Sequence, residues 1–383
     1  MRAFVIAGEP SGDRLGGALM AGLKSLQPDV CFDGVGGERM QAEGLVSRFA
    51  MQELSIMGIA EVLPKFFHLK RRIAETAQAV LAFSPDVLIT IDSPDFCLRV
   101  ARQVRARQRV HTVHYVAPSV WAWRPGRAVK MAAVVDHVLA LLPFEPPYMQ
   151  AAGMACDFVG HPVVAEPQAT AAEIATLRRT SGLGDAPVLL VLPGSRRGEV
   201  ERLAPIFGDA AGRFLATRPD WRIVVPAAAP VAEQVRAAVD GWPGMPLVID
   251  PGAFVPDMAQ AMKRAAFGTA ELALAASGTV SLELAAAGTP MVTAYDVNLL
   301  SRLIAQMLVR IDSLTLVNLV SDTRAVPEYM GAACRPDRIA AGLEQVQTQP
   351  QTQRLAMEVT LQRLGRGGEA PGLRAARAVL ARM

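Results

Sequence analysis

Two acids close an apolar run in Ile91-Asp92-Ser93-Pro94-Asp95-Phe96. A carboxylate there can serve as general base toward a hydroxyl, a task that needs position more than a raised pKa. Asp95, followed by a helical pattern, also suits a helix N-cap, so Asp92 is assigned to chemistry and Asp95 to structure. Farther on, Gly194, Ser195, Arg196 and Arg197 in Leu192–Val200 combine small residues, two guanidiniums and a helix start. That set suits a diphosphate through backbone N–H groups and charge-assisted hydrogen bonds; solvated arginines are the plainer reading. Ser277, Gly278 and Thr279 repeat the arrangement, with Glu283 one turn into the next helix and able to accept from two vicinal hydroxyls of a ribose. A Ser or Thr followed by Glu is equally a capping box.

Three further segments stand out. Gly8-Glu9-Pro10-Ser11-Gly12-Asp13 opens a helix after the first apolar run, and its glycines allow either close ligand approach or a tight structural turn. It matches neither a GxGxxG fingerprint nor a P-loop. Gly34-Val35-Gly36-Gly37 carries the same ambiguity. His114–Arg127 gathers His114, Ser119, Trp121, Trp123 and two arginines in a chain with only four tryptophans, which favours a substrate wall over a hydrophobic plug. Val62, Leu63, Phe66, Phe67 and Leu69 interleave with Lys65, Lys70, Arg71 and Arg72. By itself that segment reads as a core helix with a cationic end; an apolar substrate would favour reading it as a membrane-contact segment at an anionic surface.

The elements that must position these residues alternate short apolar runs with longer helical patterns. Ala3–Ala7, a run near Val30–Phe32, Val87–Ile91, Val110–Tyr115, Val138–Leu142, Val188–Leu192, Ile223–Val225, Leu247–Ile249, Leu272–Ala276 and Met291–Ala294 predict strands of parallel sheets with crossover helices. The 383 residues suit two or three domains. A polar break at about 161–187 predicts an α/β fold of two doubly wound Rossmann-like domains facing a cleft, 1–164 and 165–353, with a helical segment 354–383 packing back on one of them. Ligands of such sheets bind beyond the carboxyl ends of the strands, where every segment above except the apolar and basic one falls. A net charge of +3 argues against nucleic acid as partner. Four scattered cysteines read as reduced core or near-core thiols, and five dispersed histidines predict no metal centre and no metal cofactor.

In this order the motifs resemble the lipid-A-disaccharide synthase family of glycosyltransferases. The resemblance runs from Gly8–Asp13 through Glu53–Gly58, Ile91–Phe96, His114–Arg124, Leu142-Pro143-Phe144-Glu145, Gly160-His161-Pro162, Leu192–Val200 and Ser277–Thr279 to Asn318. It implies a GT-B type fold, acceptor-binding first half, UDP-sugar-binding second half, and no cofactor. It also implies inverting transfer from UDP-2,3-diacylglucosamine to 2,3-diacylglucosamine 1-phosphate, with UDP released and a β-1,6 link formed. Asp92 resembles the family's essential carboxylate, Arg196 its critical arginine, Glu9 the acid of the first loop and Asn318 a late site asparagine. Such an enzyme is expected to be cytoplasmic and peripheral on the cytoplasmic face of the inner membrane. A UDP-N-acetylglucosamine 2-epimerase-like enzyme, a soluble-acceptor transferase and a non-catalytic nucleotide-binding scaffold are the competing readings.

Overall fold

The computed structural model describes residues 1–54, 59–123, 126–296 and 311–383, with the backbone alone for 59–66. It divides into two compact units, Met1–Ala165 with Leu364–Met383, and Glu166–Arg363. Each contains a six-stranded sheet in which every strand pair is parallel.

The first sheet comprises β1 (Arg2–Ala7), β2 (Cys31–Val35), β3 (Val87–Ile91), β4 (His111–Tyr115), β5 (His137–Ala140) and β6 (Ala155–Phe158), in the order β2-β1-β3-β4-β5-β6. Side chains alternate across a strand. Phe4 and Ile6 therefore enter one core, while Ala3, Val5 and Ala7 enter the core on the opposite face. Both faces are covered by helices, which is why β1 reads as an unbroken apolar run. Strand order reverses between β1 and β3, so the switch point lies between Gly8-Glu9 and Asp92.

The second sheet comprises β7 (Val188–Leu192), β8 (Arg222–Pro226), β9 (Leu247–Ile249), β10 (Leu272–Ala276), β11 (Met291–Tyr295) and β12 (Glu328–Met330), in the order β12-β11-β10-β7-β8-β9. Its switch point lies between β7 and β10. The loops leaving those strands are Pro193–Arg196 and Ser277–Thr279, the two segments chosen from sequence for a diphosphate.

The expected single terminal segment 354–383 is divided between the units. The helix Gln351–Arg363 belongs to the second unit, where the Gln353 amide accepts from Met291 N at 2.7 Å and donates to Met291 O at 2.8 Å. The helix Pro371–Leu380 belongs to the first unit and lies on the helix Pro10–Leu26. A Cβ at Gly372 would stand 2.5 Å from Ala18 O, and one at Gly22 would stand 2.8 Å from Gly372 O, so this helix crossing requires glycine on both sides. Of the four cysteines, Cys97, Cys156 and Cys334 are buried as expected. Cys31 is exposed because it begins an edge strand.

The second glycine cluster proves structural. A Cβ at Gly34, whose φ is +148°, would lie 1.8 Å from Val5 O, and one at Gly37 would lie 2.6 Å from Asp13 Oδ2. Asp13, only 6% exposed, accepts from Gly37 N at 2.8 Å, Arg39 N at 3.0 Å and Met40 N at 3.1 Å. It thereby satisfies free donors at the start of the helix Glu38–Ala42 from another part of the chain.

Candidate functional site

In the first unit the residues of interest sit on three loops at the carboxyl edge of the sheet. Glu9, half-buried, is the N-cap of the helix Pro10–Leu26 with its backbone extended and its side chain making no capping bond. Gly8 lets this loop approach the β3 loop, because a Cβ there would meet Ser93 Oγ at 2.5 Å. Ser11 is exposed. Gly12 is buried against Ala7 and Ile91, so it serves the approach of helix to sheet and not a ligand.

Asp92 and Ser93 have φ values of +52° and +43°, and Val116, after β4, has +83°. Left-handed backbone at three non-glycine residues costs energy and collects at functional sites. The distortion turns Asp92 out of the β3 direction while its N–H still donates to Tyr115 O at 3.0 Å. Its carboxylate is half-buried at the sheet edge. Ser93, not Asp95, is the N-cap of the helix Pro94–Arg105; Asp95 sits in its first turn, where an acid complements the helix dipole.

The aromatic loop is partly a wall and partly a support. Ser119 and Trp123 are exposed and Trp121 is half-buried. Trp121 Nε1 donates to Glu145 at 3.3 Å, and its ring meets Phe144 edge-on at 5.1 Å. Glu145 also accepts from Leu141 N and Leu142 N, and burial pushes its carboxyl up to about 7. Sequence reading missed this anchor because Glu145 follows the wall residues by more than twenty positions and entered only through the family resemblance.

His114 does not join the wall. It is 1% exposed within β4, and the Thr90 hydroxyl, donating to Val113 O at 3.1 Å, leaves His114 Nδ1 to donate to Thr90 Oγ1 at 2.7 Å. Burial lowers its pKa from 6.5 to about 4. A histidine kept neutral by the fold stabilises fully above its unfolded pKa, and that stability is lost as pH falls through 6.5 toward 4. His137 and His161 are shifted the same way, whereas the raised Glu145 works in the opposite sense. The thermal midpoint of the first unit is thus expected to fall between pH 6.5 and 4. His114→Gln should flatten that slope, and an unchanged slope in calorimetry would remove His114 as a contributor.

The second unit contains a cavity of about 600 Å³ at its switch point, with Gly194, Ser195, Arg196, Ser277, Gly278, Thr279 and Glu283 in its wall. Gly194 has φ +128°, and a Cβ on it would lie 2.5 Å from Glu199 Cβ. Glu199 accepts from Ser195 N at 3.0 Å, Arg196 N at 3.3 Å and Arg196 Nη1 at 3.2 Å, and Tyr295 Oη donates to it at 3.4 Å. Those two backbone donors, expected for a diphosphate, serve Glu199 here. This carboxylate shapes the loop, and the guanidinium of Arg196 is left exposed at the cavity. The capping-box reading of Glu283 fails: Thr279 caps the helix Val280–Ala287 without a side-chain bond, and Glu283 faces the cavity. There it meets Lys263, which sequence reading did not single out.

Asn318 is not a site residue in this structure. It is fully buried, its Oδ1 accepting from Val326 N and its Nδ2 donating to Val326 O, both at 2.9 Å. The membrane-contact segment is only partly as expected. The helix runs Ile59–Phe83, Phe67 is 81% exposed, and Lys70 and Arg71 are exposed. Leu69 packs on the core, and Arg72 grips Glu53 through Nε and Nη2 at 2.8 and 2.9 Å, so both serve the fold. Val62, Leu63, Lys65 and Phe66 lie outside the residues whose side chains are described.

A family model described as lipid-A-disaccharide synthetase matches residues 3–371. The chain belongs to the lipid-A-disaccharide synthase family. It is 69% identical to the lipid-A-disaccharide synthase of Ruegeria pomeroyi over 383 residues, covering 100% of this chain and 96% of that relative. The enzyme of the same name from Rhodospirillum centenum is 47% identical, with 98% of this chain and 93% of that one covered. The protein is accordingly a glycosyltransferase that forms the disaccharide of lipid A. Among solved structures, UDP-GlcNAc 2-epimerase from Neisseria meningitidis bound to UDP-GlcNAc aligns with TM-score 0.65 at 11% identity, over 100% of this chain and 99% of that one. The S. aureus MnaA–UDP structure aligns with TM-score 0.66 at 11% identity, over 99% and 94%. At such identity the likeness shows the fold, two Rossmann-like domains of GT-B type. The epimerase reading and the non-catalytic reading give way to family membership.

Proposed function

We propose that the second unit binds UDP-2,3-diacylglucosamine, the first unit binds 2,3-diacylglucosamine 1-phosphate, and transfer is inverting and metal-independent. The observation that carries this reading is the cavity at the second switch point, whose lining combines the loop of Arg196 with the loop of Glu283. The acceptor 6-hydroxyl attacks the anomeric carbon as the bond from that carbon to the diphosphate oxygen breaks. Asp92 takes the hydroxyl proton as the new bond forms, so the base is needed at the transition state and not before it. Arg196 carries the negative charge growing on UDP. One displacement at one carbon inverts its configuration and leaves a β-1,6 link. Glu9, Ser11, Ser119, Trp121 and Trp123 edge the acceptor side.

Purified protein given both acylated substrates should release UDP and form one disaccharide 1-phosphate, read by mass spectrometry. UDP release at the same rate without acceptor, or none with it, would overturn the reading.

Acylated substrates lie in a bilayer, and we propose that Phe67 with Lys70 and Arg71 meets its anionic surface from the cytoplasmic side. No helix among the described residues is long and apolar enough to cross a membrane. Phe67→Ser is expected to lower binding to phosphatidylglycerol vesicles by about tenfold to a hundredfold, because an inserted aromatic side chain contributes about 1.5–3 kcal/mol when buried. Equal sedimentation of variant and wild type with vesicles would count against Phe67.

A further inference from the structure

Lys263 comes from the middle of the helix Pro256–Thr269, twenty positions before Glu283, and its Nζ donates to Glu283 Oε2 at 2.5 Å. Both side chains line the cavity, as does Phe267, whose ring centroid lies 5.4 Å from the same ammonium. The pair is open to water, with 45% and 33% of its side chains exposed. An ion pair so accessible adds little to folding, so its location invites a role in binding.

A bare carboxylate is a poor neighbour for an anionic ligand, since like charges repel across a cavity. An ammonium against one oxygen offsets that repulsion and fixes the carboxylate plane. Glu283 lines the cavity, and Oε1 is then the oxygen left to accept from a ligand there. With Oε2 occupied, the two-oxygen grip on a diol becomes a one-oxygen contact, which makes the orientation of Glu283 decisive.

We infer that Lys263 is a positioning residue that makes this cavity select a ribonucleoside diphosphate over its 2′-deoxy counterpart, by holding Glu283 so that Oε1 accepts from the ribose 2′-hydroxyl. The inference rests on the proposed binding of UDP in this cavity. Discrimination arises because the deoxy ligand leaves a desolvated acceptor without a partner.

Titration calorimetry with UDP and 2′-deoxy-UDP tests it. Wild type is expected to prefer UDP by about tenfold, the scale of one hydrogen bond to a charged group. Lys263→Met should weaken UDP binding and shrink the preference to about twofold, since the unclamped carboxylate no longer presents one oxygen. Lys263→Arg should restore most of the preference, and Lys263→Met with Glu283→Gln should discriminate no less than Lys263→Met alone. If Lys263→Met weakens both ligands equally and keeps their ratio, Lys263 acts as a bulk charge and the inference fails. Should the Met variant not fold, Lys263→Gln takes its place: a shrunken ratio supports the clamp, and a ratio kept at the wild-type value rejects it. Failure of wild type to bind either nucleotide would overturn the UDP reading itself.

Discussion

Asp92→Ala is expected to lower disaccharide formation by about a hundredfold to ten-thousandfold, the range contributed by a positioned general base. The donor KM should change little, because the carboxylate stands in the first unit, on a strand end remote in sequence from the loops proposed to hold UDP. Asp92→Asn is the sharper variant. It keeps the size and the tolerance for left-handed backbone that φ +52° requires, while removing the basic oxygen. Loss of rate in both variants with an unchanged melting curve assigns the effect to chemistry. Retention of more than a tenth of the wild-type rate in Asp92→Asn would remove Asp92 as the base.

The second large effect is on stability. Asp13→Ala leaves three backbone donors at Gly37, Arg39 and Met40 without their buried acceptor. Losing a cap costs about 1 kcal/mol, and each buried donor left unpaired adds about 1–3 kcal/mol before relaxation. A net loss of about 3 kcal/mol is expected, which for a unit of this size lowers its midpoint by about 6–12 °C. Asp13→Asn retains Oδ1, which serves Gly37 and Met40, but places an amide N–H2 against the Arg39 N–H, so it should fall between wild type and Ala. Calorimetry resolving the first unit's transition checks this order. A shift below about 2 °C for Asp13→Ala would mean that water replaces the carboxylate.

Interior strands were legible because burial on both faces demands continuous apolar residues, as in β1, β3, β7 and β10. The edge strands β6 and β12 were not, being short and carrying Asp157 and Glu328 among half-exposed neighbours. The helix Ile59–Phe83 takes in the whole mixed apolar and basic run, whose pattern carries no strong start signal. The switch-point loops were found because glycine, hydroxyl and charge after an apolar run is a local pattern.

Local pattern cannot say where a side chain points. His114 and Asn318 have polar types suited to a site, yet strand pairing and helix packing bury both, one against Thr90 and the other against Val326. Glu145 and Lys263 carry no local signal and acquire meaning only through Trp121 and Glu283, more than fifteen positions away. Sequence alone therefore determined the parallel α/β class and the loops proposed for chemistry, which follow from composition and order along the chain, while the family came through the resemblance of its motifs to known ones. Tertiary structure decided the division of the C-terminal segment between the units, the left-handed turn that presents Asp92, and the partners of each charge. Those depend on which strand ends the sheet order brings together, and hydrogen bonding across such separations is written in space and not in spacing.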